Sequence, residues 1–325
     1  MPNSPTPLWA ITSYFNPSQY HTKLQNFKTF HQSLGVPLVV AELIADDQKS
    51  ELASYLSSNE NPDHTIHLRI HASSTMWQKE RLLNLALAKV PAAIDYIAWI
   101  DCDVLFHTPT WHEKMVEALH VNPMIQGFSR LIYLPSGINR VPLCHMGLPV
   151  LESFVASRSS SVKQYGAQGS VWAAKANLLR QHGLYDAMIT GGGDTALTSA
   201  IIGDLAAMGS YRPIKGDTNR REYYSYLTKA HLSHYQTWAK SFQENLRSQG
   251  RVACLNETIY HLYHGAHNHR QYVARHQALL DNCFDPNKDI ALNKEGAWEW
   301  SSNKKELHNS LIRYFSERQE DNPGH

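Results

Sequence analysis

Strand-like and helix-like patterns alternate through the first third of the chain, and this order constrains the fold more than any other feature. Three short apolar runs have the length and composition of buried strands: residues 8–14, 37–43 and 96–100. Residues 66–70 (IHLRI) alternate between apolar and polar side chains and form a fourth predicted strand. Residues 20–34 and 76–90 lie between these strands and carry apolar side chains at helical spacing. Because strands that alternate with helices form a mostly parallel sheet covered on both faces, we predict an α/β fold.

The rest of the chain contains further predicted elements, with no internal repeat and no linker. They are strands over 169–175 and 258–263 and helices over 176–182, 194–208, 222–242, 268–280 and 304–315. We therefore predict one domain over residues 1–285, with halves at 1–130 and 131–285, followed by a helical C-terminal extension over 286–325.

Composition excludes several classes of protein. The 325 residues are 42% hydrophobic, which is enough for a large α/β core. With 30 Lys and Arg against 29 Asp and Glu, the net charge of +1 provides no general field for nucleic acid. Four separated cysteines without a C-x-x-C pair indicate a reducing compartment. Neither a signal peptide nor a run of about eighteen apolar residues is evident, so we expect a cytoplasmic protein without an integral membrane segment.

Asp101 and Asp103 follow directly after the apolar run YIAWI. In open α/β sheets, ligands bind beyond the carboxyl ends of the strands. Carboxylates at positions i and i+2 of a strand point to the same side, and paired oxygen ligands suit Mg²⁺ or Mn²⁺ on a diphosphate. The alternative is a solvated turn at the strand end.

Several motifs occur in an order that resembles a known family. They are KERLLN (79–84), D-C-D (101–103), GSVWAA (169–174), GGGD (191–194), HLYHG (261–265) and RQY (270–272). Over roughly residues 8–285 this set resembles the GT-A fold glycosyltransferases, which have a Rossmann-like sheet. It looks family 2-like, with galactosyltransferase-like motifs in the C-terminal half.

The resemblance implies a metal-dependent enzyme that uses a nucleoside diphosphate sugar, with uridine diphosphate favoured as the carrier. Residues 1–130 would bind the nucleotide sugar and residues 131–285 the acceptor. Asp101, Asp103 and His264 would bind Mn²⁺ or Mg²⁺ and the diphosphate, with Asp101 contacting the sugar or ribose either instead of the metal or together with it. A glycan or other hydroxyl compound would be the acceptor.

Asp194 is the candidate catalytic base. An inverting enzyme needs a carboxylate that accepts the proton of the attacking hydroxyl group. The three glycines before Asp194 would let the backbone approach a sugar. The alternative is a tight turn with Asp194 as a helix cap. The segment GGGDT also departs from the galactosyltransferase pattern, which has two acidic residues here.

Six further residues are the candidates for nucleotide binding. In the resembling family, the end of the first strand and the residue after the second bind the nucleobase, and one face of the predicted helix over 76–90 can reach the base, ribose or phosphates. The positions are Thr12, Ser13, Tyr14, Glu42, Arg81 and Asn84. For Arg81 and Glu42, ordinary surface charge is the alternative.

Three other features have open interpretations. The run RPIKGDTNRR (212–221) is either a solvated loop or a phosphate-binding segment. The histidines between 261 and 269 lack the HExxH pattern of zinc hydrolases, and of these we assign only His264 as a ligand. Trp298 and Trp300 are suited either to stacking on sugars or to packing.

The function predicted from the sequence is transfer of a hexosyl group to a hydroxyl acceptor. One alternative is a nucleotidyltransferase that makes activated sugars, but residues 13–18 lack the glycine-rich basic loop typical of that class. A second alternative is a non-catalytic sugar- or nucleotide-binding module. The oligomeric state is left open.

Overall fold

A computed structural model describes residues 7–58, 64–144, 147–158, 166–203, 209–214, 217–225, 227–272 and 274–322. The strands are β1 (Leu8–Phe15), β2 (Leu38–Ala45), β3 (Thr65–Ala72), β4 (Tyr96–Ile100), β5 (Val104–Phe106), β6 (Met124–Gln126), β7 (Arg130–Tyr133), β8 (Val150–Glu152), β9 (Val171–Lys175), β10 (Gly209–Ile214), β11 (Asp217–Ser225), β12 (Val252–Cys254), β13 (Thr258–His261), β14 (Ile290–Leu292) and β15 (Trp298–Trp300). The α-helices are α1 (His21–Ser33), α2 (Ala53–Ser58), α3 (Lys79–Leu87), α4 (Trp111–Val121), α5 (Phe154–Ser157), α6 (Ala176–His182), α7 (Gly193–Ile202), α8 (Lys229–Gln249), α9 (Gln277–Asp281), α10 (Pro286–Asp289) and α11 (Lys305–Ser316).

The central sheet has seven strands in the order β12-β6-β9-β4-β1-β2-β3. Every pairing in it is parallel except the two made by β9, which runs antiparallel to β4 and β6. The predicted α/β fold with a mostly parallel central sheet is therefore confirmed.

Strand β4 shows how the sheet is covered on both faces. Ile97 and Trp99 belong to one hydrophobic core, together with side chains of α3, α6, α7 and α8. Ala98 and Ile100 point to the opposite core, which includes side chains of α1 and α4. Because successive residues of a strand point to opposite faces, an all-apolar strand such as this one needs helices on both sides.

A second sheet, in the order β5-β13-β7-β8, follows the turn at residues 101–103. Strand β13 lies between β5, to which it is antiparallel, and β7, to which it is parallel. Strand β5 is therefore held beside a strand that is more than 150 residues later in the sequence.

Two of the predicted helices differ from the structure. Residues 217–225 form β11, paired with β10 in an antiparallel hairpin, so the helix predicted over 222–242 begins only at Lys229. Residues 222–225 read EYYS, and tyrosines favour a strand. The helix predicted over 268–280 is replaced by short 3₁₀ turns at His267–Arg270 and Ala274–His276 followed by α9. Of the helix predicted over 194–208, α7 accounts for the part up to Ile202, and 204–208 lie outside the described residues.

The residues after 285 pack into the main core. Ile290, Ala297, Leu307 and Leu311 are all buried in the same hydrophobic cluster as α3 and α7. The predicted division at residue 285 remains a prediction, but it does not coincide with a break in packing. Of the helices in the described ranges, none combines the length and hydropathy required to span a bilayer.

This packing predicts that substitutions at two adjacent residues of α11 will change the stability of the fold by different amounts. Leu311 is 1% exposed and Ile312 is 53% exposed. We expect Leu311→Ala to lower the free energy of unfolding by about 2–5 kcal/mol through loss of buried contacts and the cavity left behind. Ile312→Ala should change it by about 0.5 kcal/mol or less. Urea unfolding measures both, and equal effects would show that α11 is not part of the core.

Candidate functional site

A cavity with a volume of about 360 Å³ lies beyond the carboxyl ends of β1 and β4. Its wall includes the turn at residues 101–103, the N-terminus of α7 and part of α11. This is the edge of the sheet at which open α/β folds bind ligands. Asp101, Asp103, Asp194 and His264, four of the residues predicted from the sequence, are brought together here.

Asp103, His261 and His264 form a group whose possible ligand atoms all lie within 4.8 Å of one another. The Nε2 atom of His261 is 3.5 Å from Asp103 Oδ1, and the Nε2 atom of His264 is 3.4 Å from Asp103 Oδ2. Ligand atoms that share an ion at about 2.1 Å are separated by about 3.0–3.4 Å, depending on the coordination angle. The spacing therefore fits one metal ion.

The pairing of β13 explains why these three residues meet. His261 is the last residue of β13 and pairs with Val104, the residue after Asp103. The N–H of Leu262 also donates a hydrogen bond of 2.8 Å to the Asp103 carbonyl oxygen. His261 was not assigned from the sequence, because the pairing of β13 with β5 has no local signal.

The surroundings of both imidazoles suit binding of a metal through Nε2. The Nδ1 atom of His261 lies 2.9 Å from the Leu262 carbonyl oxygen, which can only accept, so in the neutral ring Nδ1 carries the proton and Nε2 has the lone pair. Burial lowers the pKa of His264 well below its usual value, and nearby Arg270 lowers it further, which keeps the ring neutral. Asp103 Oδ1 and His264 Nε2 are buried without a hydrogen-bond partner, as expected of atoms suited to a cation.

Asp101 does not join this group. Its Oδ1 atom lies 2.8 Å from the Nζ atom of Lys79, and that ammonium group also lies 3.0 Å from Asp194 Oδ2. The expectation that Asp101 and Asp103 share one side relied on strand geometry, but β4 ends at Ile100 and both residues lie in the turn before β5. Each carboxylate therefore has its own partner, and the metal role predicted for Asp101 has no support from this geometry.

The carboxylates near Lys79 are electrostatically perturbed. Burial raises the pKa of Asp194 and the Asp101 charge adds to this, while Lys79 opposes it. Burial also raises the pKa of Glu80 to about 8. The pKa of Lys79 is raised well above its usual value because Asp101, Asp194 and Glu80 outweigh the effect of burial. Lys79 is thus a permanent cation between two carboxylates.

Three of the residues predicted to bind nucleotide are fully buried and bonded within the fold. The Thr12 hydroxyl donates a 2.6 Å hydrogen bond to the Ile100 carbonyl oxygen, and the Tyr14 hydroxyl donates to Glu51. The Glu42 carboxylate contacts His67 at 2.7 Å and accepts from loop residues 50–52. None of the three lines the cavity. Their nucleotide-binding role remains a prediction without support from the geometry.

Arg81 and Asn84 lie on α3, outside the cavity wall. The guanidinium group of Arg81 donates to Asp186 at 2.9 Å, and the side-chain amide of Asn84 donates to the same carboxylate at 3.1 Å. These bonds join α3 to the segment before α7. The role predicted for this pair in nucleotide binding likewise remains a prediction.

The cavity includes residues that sequence reasoning missed. Phe15 is one of them: it lines the cavity beside the predicted Ser13, whereas Thr12 and Tyr14 on the same strand face the core. The alternation of β1 could therefore have shown which residues of this strand end face the cavity. A further group comes from positions far apart in the sequence: Lys23, Arg270, Arg275, Phe315, Arg318 and Glu320. Apart from Arg270, which lies in the RQY motif, these residues belong to no motif identified in the sequence, because only tertiary packing brings them together.

The structure bears on two further features of the sequence, the basic run 212–221 and the two tryptophans Trp298 and Trp300. The basic run 212–221 falls in the β10–β11 hairpin rather than a loop, and its residues 215–216 lie outside the described part. Trp298 lies 5.9 Å from the Arg81 guanidinium and donates to the Asp186 carbonyl oxygen, whereas Trp300 stacks on His308. Both tryptophans therefore pack against neighbouring residues, outside the cavity wall.

The group formed by Asp103, His261 and His264, called the metal group below, predicts that His261 contributes to metal binding and that the exposed His267 does not. We expect His261→Ala to weaken Mn²⁺ binding by about 100-fold or more, because one of three protein ligands is lost. His267→Ala is the matched control, since His267 is an exposed member of the same histidine-rich segment. Isothermal titration of the metal-free protein measures both. Equal affinities in the two variants would contradict the assignment of His261.

No protein-family model matches this sequence, and no curated protein matches it. Similar solved structures include residues 1–349 of TarS from S. aureus, at 12% identity and a TM-score of 0.35 over 59% of this chain and 53% of that chain. Another is the catalytic domain of Drosophila β1,4-galactosyltransferase 7 with xylobiose, at 13% identity and a TM-score of 0.30 over 60% of this chain and 61% of that chain. A third is 4-diphosphocytidyl-2C-methyl-D-erythritol synthase from Anaerococcus prevotii, at 9% identity and a TM-score of 0.35 over 77% of this chain and 86% of that chain. This chain spans about half the length of the TarS structure. Similarity at this level carries no argument about what the chain does.

Proposed function

We propose that this protein is a metal-dependent, inverting glycosyltransferase that moves a sugar from a nucleoside diphosphate sugar to a hydroxyl acceptor such as a glycan. The observation that carries the proposal is that one cavity contains both a metal-type ligand group and a separate, partly exposed carboxylate at Asp194. Transfer from a diphosphate donor needs these two functions side by side.

The metal group has the chemistry of a diphosphate site. A divalent ion held by Asp103, His261 and His264 would neutralise the charge that develops on the leaving diphosphate. Two imidazoles with one carboxylate favour Mn²⁺ over Mg²⁺, which prefers oxygen ligands. The donor set therefore supports the manganese alternative of the sequence prediction.

Three cationic side chains of the cavity wall favour the binding of an anionic ligand. The hydrogen bonds described for Lys23, Arg270 and Arg275 go to neutral oxygens, at distances of 2.8, 3.2 and 3.0 Å. Lys23 bonds the Phe15 carbonyl, Arg270 the His264 carbonyl and Arg275 the Tyr314 hydroxyl group. Their charges can thus act on an anionic ligand in the cavity, alongside the carboxylates of the same wall.

In this proposal Asp194 accepts the proton of the acceptor hydroxyl group. It lies in the first turn of α7, beside the cavity, and Lys79 holds its carboxylate at 3.0 Å. A pKa raised by burial makes it a stronger base than an exposed aspartate while Lys79 keeps it ionised. In this proposal Ser13 and Phe15 take the place of Thr12 and Tyr14 beside the nucleotide. Uridine remains favoured by the sequence resemblance alone.

The first test is slow donor hydrolysis. We expect the protein with Mn²⁺ to release nucleoside diphosphate from one class of nucleotide sugar, because water can replace the missing acceptor. The release should stop when EDTA is added and in the His261→Ala variant. Chromatography of the nucleotides measures it. Synthesis of a nucleotide sugar from nucleoside triphosphate and sugar phosphate would instead favour the nucleotidyltransferase alternative, and binding of nucleotide sugar without any turnover would favour the binding module.

The second test concerns Asp194. Once a donor and acceptor are known, Asp194→Asn should lower kcat by about 10²–10⁴-fold, since the amide cannot accept the proton. The affinity for Mn²⁺ should stay within about twofold, because Asp194 lies outside the metal group. Thermal unfolding controls for loss of the Lys79 ion pair. Near-normal turnover in a folded variant would remove Asp194 from the mechanism.

A further inference from the structure

Buried polar atoms without hydrogen-bond partners extend from the metal group towards the C-terminal segment. They are Asp103 Oδ1, both ring nitrogens of His264 and Glu320 Oε2. His264 Nε2 lies 3.4 Å from Asp103 Oδ2, and His264 Nδ1 lies 3.9 Å from Glu320 Oε2. Since unpaired buried polar atoms are unfavourable, their alignment needs an explanation.

A proton on Nδ1 of His264 explains why this atom faces Glu320 Oε2. An imidazole that binds a metal through Nε2 carries its proton on Nδ1, and that N–H group needs an acceptor. His261 already has one in the Leu262 carbonyl oxygen. For His264, the acceptor atom that faces Nδ1 is a carboxylate oxygen of Glu320.

Glu320 is held in place independently of His264. Its Oε1 atom accepts a hydrogen bond from Nε of Arg318. Gly265, with φ at +91°, lets the segment approach so closely that a Cβ atom there would lie 3.0 Å from the Glu320 Cα. The next residue, Asp321, accepts hydrogen bonds of 2.9 and 2.7 Å from the N–H groups of His21 and Thr22 at the start of α1. The backbone at 320 is thus fixed from both sides.

We propose that Glu320 is a positioning residue of the metal site, which accepts a hydrogen bond from His264 Nδ1 and so directs the Nε2 lone pair towards Asp103 and His261. The inference rests on the proposed metal site. The 3.9 Å separation is about 1 Å longer than a hydrogen bond, so metal binding would be accompanied by a shift of that size in the ring or the carboxylate. Its role is therefore indirect, through the orientation and tautomer of a ligand.

Glu320→Gln is the sharpest variant because it has almost the same shape. The amide oxygen is required by Arg318, which only donates, so the amide NH₂ turns towards His264. That favours the ring tautomer with the proton on Nε2, which blocks the metal-binding atom. Glu320→Asp separates this effect from charge, since it keeps the negative charge but withdraws the oxygen from Nδ1.

The experiment is Mn²⁺ titration of the metal-free full chain, with Co²⁺ absorption spectra as a measure of ligand geometry. We expect Glu320→Gln to weaken Mn²⁺ binding by about 10–100-fold and to alter the Co²⁺ spectrum, and Glu320→Asp to weaken it by at least about threefold. Glu317→Gln is the matched control: Glu317 is exposed in the same segment, and the variant should bind as the wild type does.

The outcomes distinguish the two proposals. If the wild type binds neither Mn²⁺ nor Co²⁺, the metal site itself is wrong and the proposed function fails with it. If the wild type binds metal and a Glu320 variant with an unchanged melting temperature binds it equally well, only the role of Glu320 is overturned. Either variant that folds is sufficient for this decision. Weakening by Glu320→Gln with no change in Glu320→Asp would indicate a charge effect, and this too would overturn the positioning role.

Discussion

The ammonium group of Lys79 contacts two carboxylates and thereby holds the ends of three elements at the same cavity. Lys79 begins α3, Asp101 follows β4, and Asp194 lies in the first turn of α7. Like charges about 4–6 Å apart repel by roughly 3–4 kcal/mol at an effective dielectric constant of 20, and the ammonium group between the two carboxylates offsets this repulsion. A lysine at the start of α3 thus favours having the ends of β4 and α7 at the same cavity. The same ion pairs keep Asp194 charged while burial makes it more basic.

The turn at residues 101–103 divides its two carboxylates between two sheets. Asp101 follows the last strand residue before the turn and faces Lys79. Asp103 precedes β5 and faces His261 at the end of β13 and His264 shortly after it. One carboxylate is satisfied by a cation of the protein itself. The other has an oxygen without a partner and suits a cation from solution. The two aspartates of the D-C-D motif thus have different electrostatic roles, because the chain changes direction between them.

Local sequence patterns predicted the parts of the fold that depend on local physics. The apolar run at β4, the helix at α3 and the position of Asp194 at a helix start all follow from periodicity and turn chemistry over a few residues. His261 and Glu320 could not be found in this way, because they meet Asp103 and His264 only through strand pairing and packing between segments that are distant in the sequence. The nucleotide-binding role of Thr12 stays a prediction: the alternation of β1 directs Ser13 into the cavity, whereas the Thr12 hydroxyl group bonds to β4 within the sheet.

The packing of the C-terminal segment sets the order in which the site can be completed. Tyr20 and the start of α1 contact residues 315–321, so chain segments about 300 residues apart must meet before the cavity has its full wall. During synthesis from the N-terminus, the central strands and the turn at residues 101–103 leave the ribosome long before Glu320 does. Contacts of such sequence separation close slowly. A partly synthesised chain would therefore have the ligand-binding edge of its sheet without the groups that close it, and the wall of the site would be completed only at the last stage of folding.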